Sequence, residues 1–175
     1  MEAEKHQGVR EVDPAARVLL IDDEGTLLKY LSRQLVHEGF SVVTAESGEK
    51  ALEAAMGQVF DVAVVDLKMP GMDGVETQRR LKKIQPFMQC IVLTGHGSIQ
   101  TALESGKQDA FQYLLKPADH EELVKTIREA HLRGMEARRA EFDRRLQELS
   151  KAGLGARALR SAVIELRRSL GLPEE

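Results

Sequence analysis

Between Arg17 and about Arg133, five short apolar runs alternate with amphipathic helical stretches, and this alternation restricts the fold more than any other feature of the chain. The runs are Arg17 to Ile21, Ser41 to Thr44, Asp61 to Asp66, Cys90 to Thr94 and Ala110 to Lys116. Each is short and bounded by Gly, Pro or acidic residues, which is the pattern of a buried strand. Between them Leu27, Leu28, Leu31, Leu35 and Val36 recur at helical spacing up to Gly39; Ala51, Leu52, Ala54 and Ala55 follow Ser47-Gly48; and Val75, Leu81 and Ile84 lie on a helix from Gly74 to Gln85 that Pro86 ends. A short helix is expected over Ser98 to Glu104, and Asp119 is placed to cap a helix with Leu123, Val124 and Ile127 on one face. Strict strand–helix alternation with short loops predicts a parallel sheet covered by helices on both faces.

The runs also end on chemistry. The first ends in Asp22-Asp23-Glu24, the third in Asp66 followed by Leu67-Lys68-Met69-Pro70-Gly71-Met72-Asp73-Gly74, the fourth in Thr94-Gly95-His96-Gly97, and the fifth in Lys116-Pro117. In an open parallel sheet the ligand crevice lies at the carboxyl ends of the strands. The pattern therefore delivers an acid pair, an acid, a hydroxyl and a lysine to one edge, with Asp66 expected as an exposed carboxylate on a rigid base. A carboxylate so placed can act as a nucleophile toward phosphorus, and three clustered acids can hold Mg²⁺ through oxygen. Each group also has an ordinary explanation taken singly: acids at a helix start complement its dipole, Thr94 suits a strand-end turn, and Lys116-Pro117 suits a loop. It is their combination that points to a site.

Composition adds bounds. A hydrophobic fraction of 42% suffices for a globular core, and a net charge of −3 gives no global signal for nucleic acid. Cys90 is the only cysteine, so no intramolecular disulfide can form, and it reads as a small core residue. Residues 1–15 are charged, lack the apolar stretch of a signal peptide, and are expected to be a disordered lead-in. No apolar run is long enough for a membrane span, so a soluble cytoplasmic protein is expected, with no membrane partner.

The segment from Arg17 to about Arg133 resembles the receiver domain of the response-regulator family, through Asp22-Asp23, Asp66 with its Lys68-Met69-Pro70-Gly71-Met72-Asp73-Gly74 turn, Thr94 and Lys116-Pro117. The resemblance implies a flavodoxin-like, doubly wound α/β fold with five strands in the order 2-1-3-4-5. It implies phosphotransfer from a sensor histidine kinase to Asp66 with Mg²⁺, and no catalysis beyond the chain's own phosphorylation and dephosphorylation. By carry-over, Asp22, Asp23, Asp66 and the backbone carbonyl of Lys68 hold the metal, the Lys116 ammonium and the Thr94 hydroxyl pair with phosphoryl oxygens, and a cis Lys116–Pro117 bond aims the lysine. Thr94 and Tyr113 are the expected switch pair, acting on the surface formed by the helix after strand four, strand five and the helix that follows. Lys68 and His96 occupy the positions two residues beyond the nucleophile and the switch threonine, where side chains tune phosphoryl lifetime in the family. Asp109 departs from the glycine frequent at its position. A phosphatase turning over on Asp66 would want a second acid where Lys68 stands.

The chain therefore divides into the lead-in 1–15, a receiver domain 16–133 and a helical extension 134–175. The last receiver helix has no evident stop: its pattern runs on through Met135, Phe142, Leu146 and Leu149 until Gly153 and Gly155 break it. A further helix carries Leu159, Ala162, Val163, Leu166 and Leu170, and Gly171-Leu172-Pro173 ends it. The Arg138-Arg139, Arg144-Arg145 and Arg167-Arg168 pairs alternate with acids and read as solvated helix faces. A helical hairpin with apolar stripes this wide suits a homodimer or a docked partner protein. A compact DNA-binding effector is the alternative output.

Overall fold

The computed structural model describes residues 15–95 and 110–173. Five strands, β1 (Arg17–Ile21), β2 (Ser41–Ala45), β3 (Val62–Val65), β4 (Gln89–Thr94) and β5 (Gln112–Leu115), form one parallel sheet in the order β2-β1-β3-β4-β5. This is the doubly wound α/β architecture expected from the alternation. Strands β3 and β4 are fully buried over Val62–Val65 and Cys90–Thr94, because helices cover both faces. The central runs are therefore continuously apolar rather than alternating. The expected helix over Ser98 to Glu104 falls outside the described residues.

Side chains alternate between two cores. Val18, Leu20, Val62, Val64, Ile91 and Leu93 face one, packed beneath Leu28 and Leu35 of α1 (Gly25–His37) and Leu123 and Ile127 of α4 (His120–Lys151). Leu19, Ile21, Ala63, Val65 and Cys90 face the other, under Ala51 and Ala55 of α2 (Gly48–Gly57) and Leu81 of α3 (Gly74–Ile84). Side chains i and i+2 share a face of a strand, so β1, β3 and β4 each feed both cores. Helix starts are fixed locally: Ser47, Asp73 and Asp119 accept the backbone N–H of Lys50, Glu76 and Glu122.

Helix α4 runs unbroken for 32 residues, through the expected boundary at Arg133. At ~1.5 Å per residue it is about 48 Å long, far more than a cover for the sheet needs. Gly134 sits in its middle, where a Cβ would lie 3.0 Å from the Phe87 carbonyl oxygen. An interior glycine costs about 1 kcal/mol relative to alanine; here it lets the helix cross the chain entering β4. The helix stops at the Ala152 cap, Gly153 adopts φ +65°, and α5 (Ala156–Leu170) turns back along it. Phe142, Leu166 and Leu170 are buried between the two helices, with Phe87 of the receiver body packed against them. The two helices therefore pack on one another and on Phe87 of the sheet-bearing domain.

Candidate functional site

Strand register alone gathers the four chemical groups at the carboxyl edge. Ile21 pairs with Val65, and the next residue, Asp66, donates its backbone N–H to the Ile21 carbonyl at 3.0 Å. Thr94 pairs with Leu115, and the Lys116 N–H bonds the Thr94 carbonyl at 2.9 Å. Asp22 donates its own N–H to the Ala45 carbonyl at 3.2 Å. The side chains are therefore carried by backbone tied into the sheet, not by free loops.

Asp22, Asp23 and Asp66 each present a carboxylate oxygen within a sphere where all three lie within 4.8 Å of one another. The Lys116 ammonium donates to Asp22 Oδ2 at 2.6 Å and lies 3.3 Å from Asp66 Oδ2. Burial opposes its charge, but the hydrogen bond and charge of Asp22, joined by Asp66, outweigh burial and raise its pKa above the ordinary lysine value. Three carboxylates against one ammonium leave a net of about −2, which with hard oxygen donors matches a divalent cation such as Mg²⁺. Among the described residues this is the acidic group able to hold one.

Asp66 is 7% exposed, so the expectation of an exposed carboxylate is corrected: Asp22 and Lys116 crowd over it, and it forms the floor of the cleft. Asp22 is buried as well, and its Oδ1 accepts the Glu24 N–H, while Asp23 is exposed. The Lys68 side chain points to solvent, and its N–H approaches Asp66 Oδ1 at 3.4 Å. Thr94 is buried at the end of β4. The Lys116–Pro117 peptide is cis. Tyr113 is half-buried against the cluster of Leu67 and Val92. His96 and Asp109 lie outside the described residues.

Gly48 and Gly74, read from the sequence only as helix starts and turn residues, shape the cleft. A Cβ on Gly74 would lie 2.1 Å from the Asp66 carbonyl oxygen and 2.7 Å from the Leu67 Cα. A Cβ on Gly48 would lie 2.3 Å from Thr77 Oγ1 and 3.0 Å from Met72 Sδ. The turn after Asp66 is therefore gripped by the first residues of α3 and α2. Glycine at a helix start carried this information, but only the tertiary approach gives it meaning.

This edge geometry has known relatives. The model of the response regulator receiver domain matches residues 18–128. The chain belongs to the response-regulator receiver family. It is 43% identical over 115 residues to the transcriptional regulatory protein GlrR of Escherichia coli, an alignment covering 66% of this chain and 26% of that protein. It is similar to the structure of a response regulator receiver domain protein from Clostridium thermocellum, at 38% identity and a TM-score of 0.63, covering 67% of this chain and 95% of the other. It is also similar to the response regulator TrrA of Thermotoga maritima, whose structure is a complex with Mg²⁺-BeF, at 30% identity and a TM-score of 0.59, covering 66% and 98%. The chain spans about a quarter of the length of the curated relatives it matches. Receiver domains bind Mg²⁺ in an acidic pocket, and the Asp22, Asp23 and Asp66 cluster fits that chemistry. Among the described residues no helix is long and apolar enough to cross a membrane.

Proposed function

We propose that this receiver takes a phosphoryl group from a sensor histidine kinase on Asp66 and converts it into a change in the contacts of its C-terminal hairpin. The observation carrying the proposal is the Lys116 ammonium set between Asp22 and Asp66 at one sheet edge. An Asp66 carboxylate oxygen attacks the phosphorus; the bond from phosphorus to the donor's imidazole nitrogen breaks, and that nitrogen keeps the electron pair and is reprotonated. The product is an acyl phosphate. Attack brings negative charge onto negative charge, so the site must supply positive charge in place. Asp22, Asp23, Asp66 and the Lys68 carbonyl would hold Mg²⁺, which supplies charge neutralisation when bound. Lys116 moves from Asp66 to a phosphoryl oxygen as a point charge.

Thr94 then donates its hydroxyl to a second phosphoryl oxygen, and Tyr113 follows the space this vacates. The new charge-assisted contacts bias a two-state surface rather than push a lever. Lys68 is exposed at the cleft mouth and, with His96, would slow the approach of water to the acyl phosphate. A half-life of seconds at neutral pH in Mg²⁺ would sink that last assignment. In this reading the chain catalyses only its own phosphorylation and dephosphorylation, in the cytoplasm.

The hairpin is the output element, pairing with a second copy or docking a partner protein. Arg144 and Arg145 are occupied by Glu141 and Glu148 within their own helix, which leaves them poorly available to phosphates. The name of GlrR, a transcriptional regulatory protein, keeps a DNA-binding output as the alternative, and salt-dependent binding to duplex DNA would favour it. Size-exclusion chromatography with light scattering, in Mg²⁺ with and without the phosphoryl mimic beryllium fluoride, tests the main reading. A mass increase in wild type that is absent in Asp66→Asn supports it; an unchanged mass with the mimic bound moves the output to a different partner.

A further inference from the structure

Strand β3 is flanked by a carboxylate at each end. Asp66 lies at the carboxyl edge; Asp61, 5% exposed, lies at the amino edge, on the far side of the sheet from the phosphoacceptor cleft. Asp61 Oδ1 accepts from the Arg138 guanidinium at 2.8 Å, and Oδ2 accepts the Arg17 backbone N–H at 2.9 Å. Arg138 also reaches the Phe60 carbonyl at 3.5 Å, and His131 Nδ1 stands 3.9 Å from Asp61 Oδ2. Arg138 is 6% exposed, which corrects the reading of the Arg138-Arg139 pair as a solvated face. It belongs to the extension, and its partner belongs to the receiver sheet.

A buried ion pair is a poor way to glue two surfaces permanently. Its desolvation cost cancels much of the attraction, and well-packed apolar residues hold as well or better. What it offers is a single register, and two surfaces that tolerate water when apart. The contact is also not sealed: a cavity of about 380 Å³ lies between Arg17, Asp61, Arg138, Met135 and Leu172. Beside it Phe87 of the receiver packs against Phe142, Leu166 and Leu170, so release of the contact uncovers that seam.

We propose that the Arg138–Asp61 ion pair is a releasable clasp, which docks the hairpin on the amino-terminal edge of the receiver sheet in the resting chain and withholds its apolar seam from a second copy. The second-copy part rests on the association reading above; the clasp itself is judged separately by hydrogen exchange. Arg138→Gln in the full chain breaks the pair and leaves a buried carboxylate. Asp61 keeps the Arg17 backbone N–H and a half-exposed Arg17 guanidinium 3.5 Å away, but loss of the short buried partner is still the costly outcome, so amide exchange over residues 142–170 rises at least about tenfold while β3 and β4 keep their protection. The same variant associates without the mimic. The paired replacement Asp61→Asn with Arg138→Met removes the two buried charges and keeps an amide oxygen to accept the Arg17 N–H; it holds the hairpin with wild-type or slower exchange and stays monomeric with beryllium fluoride bound.

Unchanged exchange in Arg138→Gln overturns the clasp, as does a loss of protection spread equally over β3 and β4, which would make the pair a brace of the core. A paired variant that associates as readily as wild type removes its regulatory role. If mimic-bound wild type stays monomeric while Arg138→Gln still frees residues 142–170, the association reading fails and the clasp stands.

Discussion

Gly74→Ala drives a methyl group into the backbone that carries Asp66. The added methyl would lie 2.1 Å from the Asp66 carbonyl oxygen, 2.7 Å from the Leu67 Cα and 2.8 Å from the Asp66 carbonyl carbon. All three are backbone atoms, so no rotamer change relieves the clash. Comfortable contact begins at about 3.5 Å, so the start of α3 and the end of β3 must part by roughly 1 Å. The opposing strand is tied to Ile21 by the Asp66 N–H and α3 to Leu67 by the Gly74 N–H, both at 3.0 Å, so the strain cannot spread freely. Overpacking of this kind costs about 1–3 kcal/mol, and the rigid surroundings place Gly74→Ala near 3. For a chain of this size that lowers Tm by roughly 6–12 °C. The chemistry suffers separately, because the displaced segment carries Asp66 and the Lys68 carbonyl. A misplacement of about 1 Å costs on the order of 100-fold in a positioned reaction, so phosphorylation by a small phosphodonor slows by that order in the folded fraction. Differential scanning calorimetry and initial rates at 15–20 °C below the variant's Tm separate the two effects. Gly57→Ala, where an added methyl meets nothing within 4 Å, is the control and stays within about 1 kcal/mol of wild type. A Gly74→Ala protein with wild-type Tm and rate would refute the reasoning.

Three further outcomes follow from polar groups at the two ends of the sheet. Lys116→Met removes the ammonium between Asp22 and Asp66, so Mg²⁺ binds more tightly while the response to beryllium fluoride falls; calorimetric titration of each ligand reads both, and parallel changes would contradict the placement. Asp61 resists its burial through the Arg17 N–H and the Arg138 guanidinium, which hold its pKa below its ordinary 3.8. The folded state then binds fewer protons than the unfolded one, so this contribution is complete above about pH 5 and is lost as pH falls through the lowered value. Urea unfolding of wild type and Asp61→Asn therefore differs most at neutral pH and converges in acid; a gap that widens in acid would reverse the sign. Thr94→Val leaves the buried end of β4 filled and phosphorylation of Asp66 intact, but weakens the mass change that the mimic produces.

The strand runs and the groups that terminate them were legible because both are local. Short apolar runs bounded by turn residues announce buried strands, and the parallel order then forces Asp22, Asp66, Thr94 and Lys116 to one edge. The continuation of α4 past Arg133 was equally plain in the spacing of Met135, Phe142 and Leu146. What escaped were relations between distant residues. Asp61 looked like the first residue of a strand and Arg138 like half of a surface pair; nothing periodic joins positions 77 apart. The burial of Asp66 depends on Asp22 and Lys116 closing over it. Gly48, Gly74 and Gly134 could be seen as helix glycines, but which backbone or side chain each admits is set only when two elements meet. Strand ends differ by a residue or two because Asp61 and Asp66 flank β3 while still bonding their neighbours through Arg17 and Ile21.

Site-resolved mass spectrometry after incubation with acetyl phosphate and Mg²⁺ reads whether Asp66 is the residue that accepts the phosphoryl group. One phosphoryl group is expected, on Asp66, labile to hydroxylamine as an acyl phosphate is, absent without Mg²⁺ and absent in Asp66→Asn. A phosphoryl group on another residue, or wild-type labelling in Asp66→Asn, would contradict Asp66 as the acceptor.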